Sequence, residues 1–252
     1  MNPRTSTSIS RRLDEEKQLA ADAAVLWVRS GMTVGLGSGS TAALFIKALG
    51  KRVRAGEVRI EAVASSRESE AIARAAGIPL LVPRRGLRLD LAVDGADEIT
   101  PRLDLLKGRG GAMLRERIVA QASRYFLVIA DSSKRVKRFG RLPVPVEVVP
   151  FALPWVADRI AKMGGRPILR TAAPSGQRPY FTDQKNYILD CRFPSSGNPG
   201  QGAERLERIP GVVAHGLFLD CTQAALIAEA GEVRVFRPGR APVRLRDFSV
   251  TL

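Results

Sequence analysis

Short apolar segments alternate with amphipathic ones through the first half of this chain, and this alternation limits the fold most. The pattern predicts strands at residues 32–37, 58–63, 79–82, 89–93 and 125–130, with helices at 14–29, 40–49, 68–76 and 112–122. Strands that alternate with helices at this spacing indicate βαβ units. The sequence therefore predicts an α/β fold, with a mostly parallel Rossmann-like sheet that carries helices on both faces.

The second half departs from this alternation after a proline-punctuated segment at residues 142–150. The pattern there predicts strand 144–149, helix 154–163, strands 167–171 and 186–191, loop 197–202, helix 203–208 and strand 212–218. This is the β-α-β-β-α-β order of the split βαβ motif. Strands at 224–228 and 233–236 then return to the first sheet. We therefore expect one domain from residues 1–142 and 221–252, with a second domain inserted at 143–220.

The chain carries a formal charge of +15 from 40 basic and 25 acidic residues. Such a surplus attracts anions and can support nucleic-acid binding. The basic residues are dispersed, however, and no RNA- or DNA-binding motif accompanies them. We expect a phosphorylated metabolite rather than a nucleic acid as the partner.

Two cysteines and one histidine exclude the common zinc and iron–sulfur patterns, so no metal or other cofactor is predicted. Cys191 and Cys221 are expected to be reduced and His215 to be structural. No apolar run is long enough to span a membrane. The first residues lack the apolar core of a secretory signal, so we expect a frayed N-terminal tail on a cytoplasmic protein.

Acids, an amine and a glycine-rich turn lie within residues 94–116, directly after the strand predicted at 89–93. In open α/β sheets, ligands bind at the carboxyl ends of the strands. The pattern of Asp94, Asp97, Lys107 and Glu116 suits proton transfer between carbon atoms with stabilisation of an oxyanion. A solvated acidic turn with a flexible loop would look similar, and Glu116 could be a surface acid that balances Arg115 and Arg117.

A glycine-rich loop at residues 35–41 joins a predicted strand to a predicted helix. It fails as a dinucleotide fingerprint because Ser40 occupies the third glycine position, and as a Walker A loop because no lysine follows. Backbone N–H groups together with Ser38, Ser40 and Thr41 would suit one phosphate. The alternative is a tight turn in which Ser40 is an ordinary N-cap.

Seven blocks along the chain resemble, in order and spacing, the type A family of ribose-5-phosphate isomerases. They are GSGSTAA at 37–43, DGADE at 94–98, KGRGGAMLRE at 107–116, ADSSK at 130–134, LPVPVEVVPFA at 142–152, NYILDC at 186–191 and IPGVVAHGLF at 209–218. The resemblance implies an aldose–ketose isomerase that interconverts ribose 5-phosphate and ribulose 5-phosphate through an enediolate, without a metal. It also implies a homodimer or homotetramer and an inserted ferredoxin-like α+β domain.

The same resemblance implies a role for each matching residue. Glu116 matches the general base, Lys107 the cation that stabilises the oxyanion, and Asp94 a carboxylate that binds sugar hydroxyls and assists ring opening. Asp97 matches the second carboxylate of the acidic loop. The implied substrate-binding residues are Ser38, Gly39, Ser40, Thr41, Gly95, Ala96, Gly108, Arg109, Gly110, Lys134 and Lys17.

The chain departs from the family pattern at three positions. Ser38 replaces a threonine, Asp104 an asparagine, and Arg109 a glycine that many members carry. Three other classes remain open at this point: a sugar-phosphate-sensing regulator or nucleic-acid-binding protein on the same fold, an acyl-CoA transferase of a related fold, and an NAD-dependent dehydrogenase. The segment after residue 238 has no assigned role.

Overall fold

The computed structural model describes residues 3–172, 178–194 and 197–250, and the side chains from residue 8 onwards. The α-helices within these residues are α1 Pro3–Val25, α2 Ser40–Arg54, α3 Arg67–Ala75, α4 Met113–Ala122, α5 Leu153–Lys162 and α6 Pro199–Glu207. The strands are β1 Thr33–Leu36, β2 Glu61–Ala64, β3 Leu89–Asp94, β4 Glu98–Ile99, β5 Leu105–Leu106, β6 Ser123–Asp131, β7 Val144–Val148, β8 Arg166–Leu169, β9 Tyr187–Arg192, β10 Val212–His215, β11 Leu217–Phe218, β12 Ala224–Glu229, β13 Glu232–Arg237 and β14 Arg240–Arg244. Short 3-10 helices cover Ser132–Lys134, Pro150–Ala152 and Leu245–Asp247.

The large sheet has the strand order β14-β13-β12-β6-β3-β1-β2. Its five strands from β12 to β2 pair in parallel, and β13 and β14 add an antiparallel edge. Side chains alternate across the sheet: Leu127 and Ile129 of β6 pack in the core with α1, α2 and α3, whereas Phe126 and Val128 pack with α4. Helices therefore cover both faces, and the predicted fold class is confirmed.

A second sheet is formed by β10-β7-β9-β8, all paired antiparallel. Val156 and Ile160 of α5 and Leu206 of α6 pack against it in a core of their own. This order matches the predicted β-α-β-β-α-β motif and the ferredoxin-like arrangement. The exact division at residues 142/143 and 220/221 stays a prediction. A small third sheet, β11-β5-β4, was not expected from the sequence.

Three predicted ends of α1 and α2 are wrong. The N-terminal residues predicted as a frayed tail belong to α1, which begins at Pro3 and ends at Val25 rather than spanning 14–29. Helix α2 continues through Gly50 to Arg54, although that glycine predicted its end. Gly50 instead lies against Ala76, where a Cβ atom would collide. The glycine therefore permits close packing between helices rather than a turn.

Other differences lie at the edges of elements. Residues 79–82 form no strand, and Leu80 makes only an isolated bridge to Ala62. Helix α6 begins at Pro199, inside the predicted loop 197–202, because Asn198 caps it. The predicted strand 212–218 is divided at Gly216, whose backbone bonds to Pro145 and Lys107. The unassigned tail contributes β14 to the large sheet.

No helix among the described residues is long and apolar enough to cross a membrane. Both cysteines are free, and His215 is buried and hydrogen-bonded to Glu207.

Candidate active site

Asp94 ends β3 at the carboxyl edge of the large sheet and is buried. Its Oδ1 accepts hydrogen bonds from the N–H groups of Ser38, at 2.9 Å, and Gly95, at 2.7 Å. The chain at Gly37 passes so close that a Cβ atom there would collide with the Asp94 carboxylate. The glycine-rich loop after β1 and the acidic turn after β3 therefore form one structure at this edge.

The Lys107 side chain lies between two buried carboxylates. Its Nζ is 3.0 Å from Asp94 Oδ2 and 3.3 Å from Glu116 Oε1, and it donates to the Gly95 carbonyl at 2.6 Å. The backbone N–H of Lys107 bonds to the Gly216 carbonyl, which fixes the chain directly after β5. Only 3% of the lysine is exposed. Acid, amine and acid thus meet at one point, as the sequence predicts.

Glu116 lies in the first turn of α4 and is 6% exposed. Its Oε2 has no hydrogen-bond partner among the described residues. The alternative of a surface acid balancing two arginines is wrong, because Arg115 pairs with Asp183 and Arg117 donates to backbone carbonyls. A buried carboxylate with a free oxygen is suited to take up a proton from a ligand.

Burial raises the pKa of Glu116 to about 8, and the negative charge of Asp94 adds to this, although Lys107 opposes it. Burial also raises the pKa of Asp94 against the opposing effect of Lys107. For Lys107 itself, burial favours the neutral amine, but the two carboxylates outweigh it and raise the pKa. The lysine therefore remains a cation while Glu116 can release and accept a proton near neutral pH.

Asp97 connects the acidic turn, residues 94–98, to residues 107–111, which we call the lysine loop. Its Oδ2 accepts the Arg109 N–H at 3.0 Å, and its own N–H bonds to the Leu106 carbonyl. The loop itself turns at Gly108, where φ is 100°, and closes with a hydrogen bond from the Gly111 N–H to the Gly108 carbonyl. Gly95 and Ala96, which were predicted to bind substrate, are half-buried beside this group.

The glycine-rich loop presents the start of α2. Gly39, with φ 85°, occupies the N-cap position, and no side chain caps the helix. The N-cap alternative for Ser40 is therefore wrong, because Ser40 is the first helical residue. Its side chain is exposed, whereas Thr41 is buried and the Ser38 hydroxyl lies 2.8 Å from that of Ser65. Uncapped N–H groups at a helix start favour an anion.

Comparison with known proteins identifies the relatives of this chain. The family model of ribose 5-phosphate isomerase A (phosphoriboisomerase A) matches residues 61–232. A ribose-5-phosphate isomerase A of Sphingopyxis alaskensis is 46% identical over 226 residues, covering 90% of this chain and 97% of the relative. The chain belongs to the ribose-5-phosphate isomerase A family.

Solved structures agree with this assignment. The ribose 5-phosphate isomerase A of Methanocaldococcus jannaschii superposes with a TM-score of 0.83 at 36% identity, covering 88% of this chain and 98% of that structure. A D-ribose-5-phosphate isomerase in complex with phospho-erythronic acid gives a TM-score of 0.86 at 33% identity, with 89% and 99% coverage. The family resemblance expected from the sequence blocks is therefore confirmed.

Two lysines predicted to contact substrate lie farther from the acid–lysine–acid cluster. Lys134 ends the 3-10 helix after β6, at the same sheet edge as Asp94. Lys17 of α1 pairs with Asp14 at 2.8 Å, and its neighbour Glu16 accepts hydrogen bonds from Ser132. No described contact joins either lysine to Lys107 or to the two buried carboxylates.

Sequence inspection missed several residues that support the site. Ser65 and Ser69 hold the Ser38 hydroxyl, and a signal was available because these hydroxyls follow β2 at the same sheet edge. Arg170 and Tyr180 donate hydrogen bonds to carbonyls of the lysine loop, and Asp190 on β9 holds Arg170. Nothing in the local sequence around Arg170 indicates this contact, which spans 62 residues. The described residues contain no group of three or more His, Cys, Asp or Glu side chains that could hold a metal ion.

The raised pKa of Glu116 predicts a distinct pH dependence. Only the ionised carboxylate can accept a proton, so activity is lost as the pH falls through about 8 and is gained as it rises. We expect kcat/KM, measured from pH 6 to 10, to rise through a single ionisation near pH 8. A profile that is flat over this range, or that is already at its plateau at pH 6, would contradict the assignment.

Proposed function

We propose that this chain interconverts D-ribose 5-phosphate and D-ribulose 5-phosphate in the non-oxidative pentose phosphate pathway. The observation that carries the proposal is the Lys107 ammonium held between the buried Asp94 and Glu116 carboxylates. The family assignment gives the substrate class. The complex of a related isomerase with phospho-erythronic acid adds support, because that ligand is a phosphorylated sugar acid whose planar carboxylate resembles an enediolate.

In the proposed reaction Glu116 is the general base. Its carboxylate takes the proton from C2 of the open-chain aldose, the C–H electron pair forms the C1=C2 double bond, and O1 becomes an oxyanion. The protonated Glu116 then returns the proton to C1 while the O2 carbonyl forms and the hydroxyl proton moves from O2 to O1. A base with a pKa near the working pH serves both steps.

Lys107 and Asp94 act on the oxygens of the substrate. The ammonium donates to the oxygen that gains charge in the enediolate, and it does so in a buried setting where electrostatic stabilisation is strong. Asp94 accepts hydrogen bonds from sugar hydroxyls and assists ring opening. Asp97 keeps the lysine loop against the acidic turn through its bond to the Arg109 N–H.

The phosphate is proposed to bind at the uncapped start of α2. There the N–H groups and the helix dipole favour an anion, and the hydroxyls of Ser40 and Thr41 are close by. Lys134 and Lys17 are proposed to add positive charge, and Gly95, Ala96, Gly108 and Gly110 to supply backbone contacts to the sugar. The basic surplus of the chain would raise the local concentration of such a substrate.

Replacing both Ser40 and Thr41 with alanine tests this phosphate site. We expect the KM for ribose 5-phosphate to rise about 150-fold, because two charge-assisted hydrogen bonds are lost at roughly 1.5 kcal/mol each, while kcat changes less. Inhibition by inorganic phosphate, measured in the same assay, should weaken in parallel. An unchanged KM together with unchanged phosphate inhibition would remove these hydroxyls from the site. The melting temperature controls for the buried position of Thr41.

The overall proposal is tested by incubating the purified chain with ribose 5-phosphate in EDTA and following ribulose 5-phosphate by NMR. Formation of the ketose, with ribose itself left unconverted, is the expected result. No ketose from a folded protein would overturn the proposed function.

The location and assembly of the enzyme stay predictions. We infer a cytoplasmic homodimer or homotetramer that binds neither nucleic acid nor membrane. Phe151 and Trp155 support an oligomer. Their rings touch each other beside the inserted sheet and are 80% and 61% exposed, and exposed apolar patches mark protein–protein contacts.

A further inference from the structure

We propose that Arg170 is a positioning residue for the reaction, acting from the inserted sheet on the lysine loop at residues 107–111. The inference rests on the proposed isomerase function and concerns how that site is held in shape. Arg170 lies directly after β8, and its side chain is 15% exposed. It is one of the points at which the second sheet meets the lysine loop.

The guanidinium of Arg170 donates hydrogen bonds along two of its edges. Nε and Nη2 form a two-point pair with the carboxylate of Asp190 on β9, with Nε at 2.9 Å from Oδ2. Nη1 donates to the carbonyls of Gly108, at 2.9 Å, and Arg109, at 3.0 Å. A planar guanidinium can make this set of bonds, whereas the ammonium of a lysine cannot. Asp190 thus fixes the arginine, and the arginine fixes two consecutive peptide units of the loop.

A third carbonyl of the loop is held from the same side. The Tyr180 hydroxyl donates to the Gly110 carbonyl at 3.2 Å, and its ring lies under the Arg170 guanidinium at 5.9 Å. Gly111 lies so close to Tyr180 that a Cβ atom would collide with the ring. Three successive carbonyls, those of residues 108, 109 and 110, therefore point to the side chains of Arg170 and Tyr180.

The orientation of these carbonyls sets the direction of the amide groups. In a trans peptide the C=O and N–H groups point in opposite directions. The unit that joins Gly108 to Arg109 shows this, since its carbonyl binds Arg170 and its N–H binds Asp97. The next unit binds Arg170 through its carbonyl as well, so its N–H, on Gly110, points away from the guanidinium. Among the described residues this N–H has no acceptor.

Arg170 therefore has two effects on the site. It keeps the Arg109 N–H on Asp97, and it leaves the Gly110 N–H free as a donor for the substrate. Because Gly108 directly follows Lys107, the same clamp limits how far the ammonium can move from the two carboxylates. Neither Arg170 nor Asp190 contacts Asp94, Lys107 or Glu116 through a side-chain bond within the described chain, so the effect passes through the loop backbone.

The test compares R170A and R170K with R166A. Arg166 is an exposed arginine of the same strand region without an ion pair among the described residues, and R166A should match the wild type. For R170A we expect kcat to fall about 30-fold, the scale of a small misplacement of a catalytic group. KM should change about threefold or less, since the phosphate is bound on α2. R170K should lose most of the same activity.

Two further readouts distinguish positioning from a general loss of folded protein. A displaced Lys107 lowers the pKa of Glu116 less, so the rising limb of kcat/KM should move to higher pH in R170A. A smaller fraction of active protein would instead lower kcat/KM by the same factor at every pH and leave the limb where it is. Hydrogen exchange at residues 108–111 should also become faster, and that readout holds even if the chain proves not to be an isomerase.

If R170A fails to fold, D190N provides the same test, because it frees the arginine while retaining it. Its kcat should also fall, but by a smaller factor than in R170A. The rising limb of kcat/KM should again move to higher pH. A folded R170A or D190N with wild-type kcat, an unmoved pH limb and unchanged exchange would overturn the proposal. Absence of isomerase activity in the wild type would overturn the proposed function instead.

Discussion

Glu116→Gln is expected to lower kcat about 10³- to 10⁴-fold, the upper range for loss of a general base. The amide has the shape of the carboxyl group but cannot accept a proton from carbon. The fold should persist, because glutamine is neutral and burial already disfavours the charged form of Glu116. We therefore expect a melting temperature at least equal to that of the wild type, measured beside the turnover of ribose 5-phosphate.

Glu204→Gln is the matched control for this prediction. Glu204 is an exposed helical acid that pairs with Arg208, so its loss should leave turnover unchanged. If Glu116→Gln retains turnover within a few-fold of the wild type, another group moves the proton and the central assignment is wrong.

Lys107→Met is expected to lower kcat about 10²- to 10³-fold, as for removal of one oxyanion donor. The substitution keeps an unbranched side chain but leaves Asp94 and Glu116 without their shared cation. The pKa of each carboxyl group should rise further, so the rising limb of the pH profile should move to higher pH.

Stability should change with pH in a defined direction. A carboxyl group whose pKa is higher in the folded than in the unfolded state binds more protons when folded, so stability falls as the pH rises between the two pKa values. The melting temperature of Lys107→Met should therefore fall more steeply than that of the wild type from pH 5 to 9. Lys51→Met, at an exposed position of α2, is the control. The same control serves the activity prediction. Equal turnover of ribose 5-phosphate by Lys107→Met and Lys51→Met would show that the Lys107 charge takes no part in the reaction.

The sequence predicts the centre of the site because parallel strands deliver their carboxyl ends to one edge. Asp94 follows β3, and the glycine-rich loop follows β1, its neighbour in the sheet. The regular strand–helix alternation makes this arrangement readable from local patterns. The spacing of Lys107 and Glu116, on either side of a glycine turn, then brings the amine and the second acid to the same place.

Other parts of the site depend on contacts that local patterns do not encode. The burial of Glu116 follows from packing between α4 and the sheet, and the same helix sequence would also suit a surface position. Gly50 has the sequence appearance of a helix end, yet its close contact with Ala76 keeps α2 continuous. Arg170, which Asp190 holds, meets the lysine loop only because the inserted sheet docks there. The hydrogen bond from Arg170 to Gly108 joins residues that are 62 apart in the sequence, so only the tertiary structure reveals it.

The transfer of a proton by Glu116 is tested most directly by isomerisation in D₂O with EDTA present. A carboxylate that carries the proton can exchange it with solvent, so the wild type should place deuterium at C1 of ribulose 5-phosphate. Glu116→Gln should form deuterated ketose about 10³- to 10⁴-fold more slowly than the wild type. Ketose formed and deuterated by Glu116→Gln as fast as by the wild type would contradict the account.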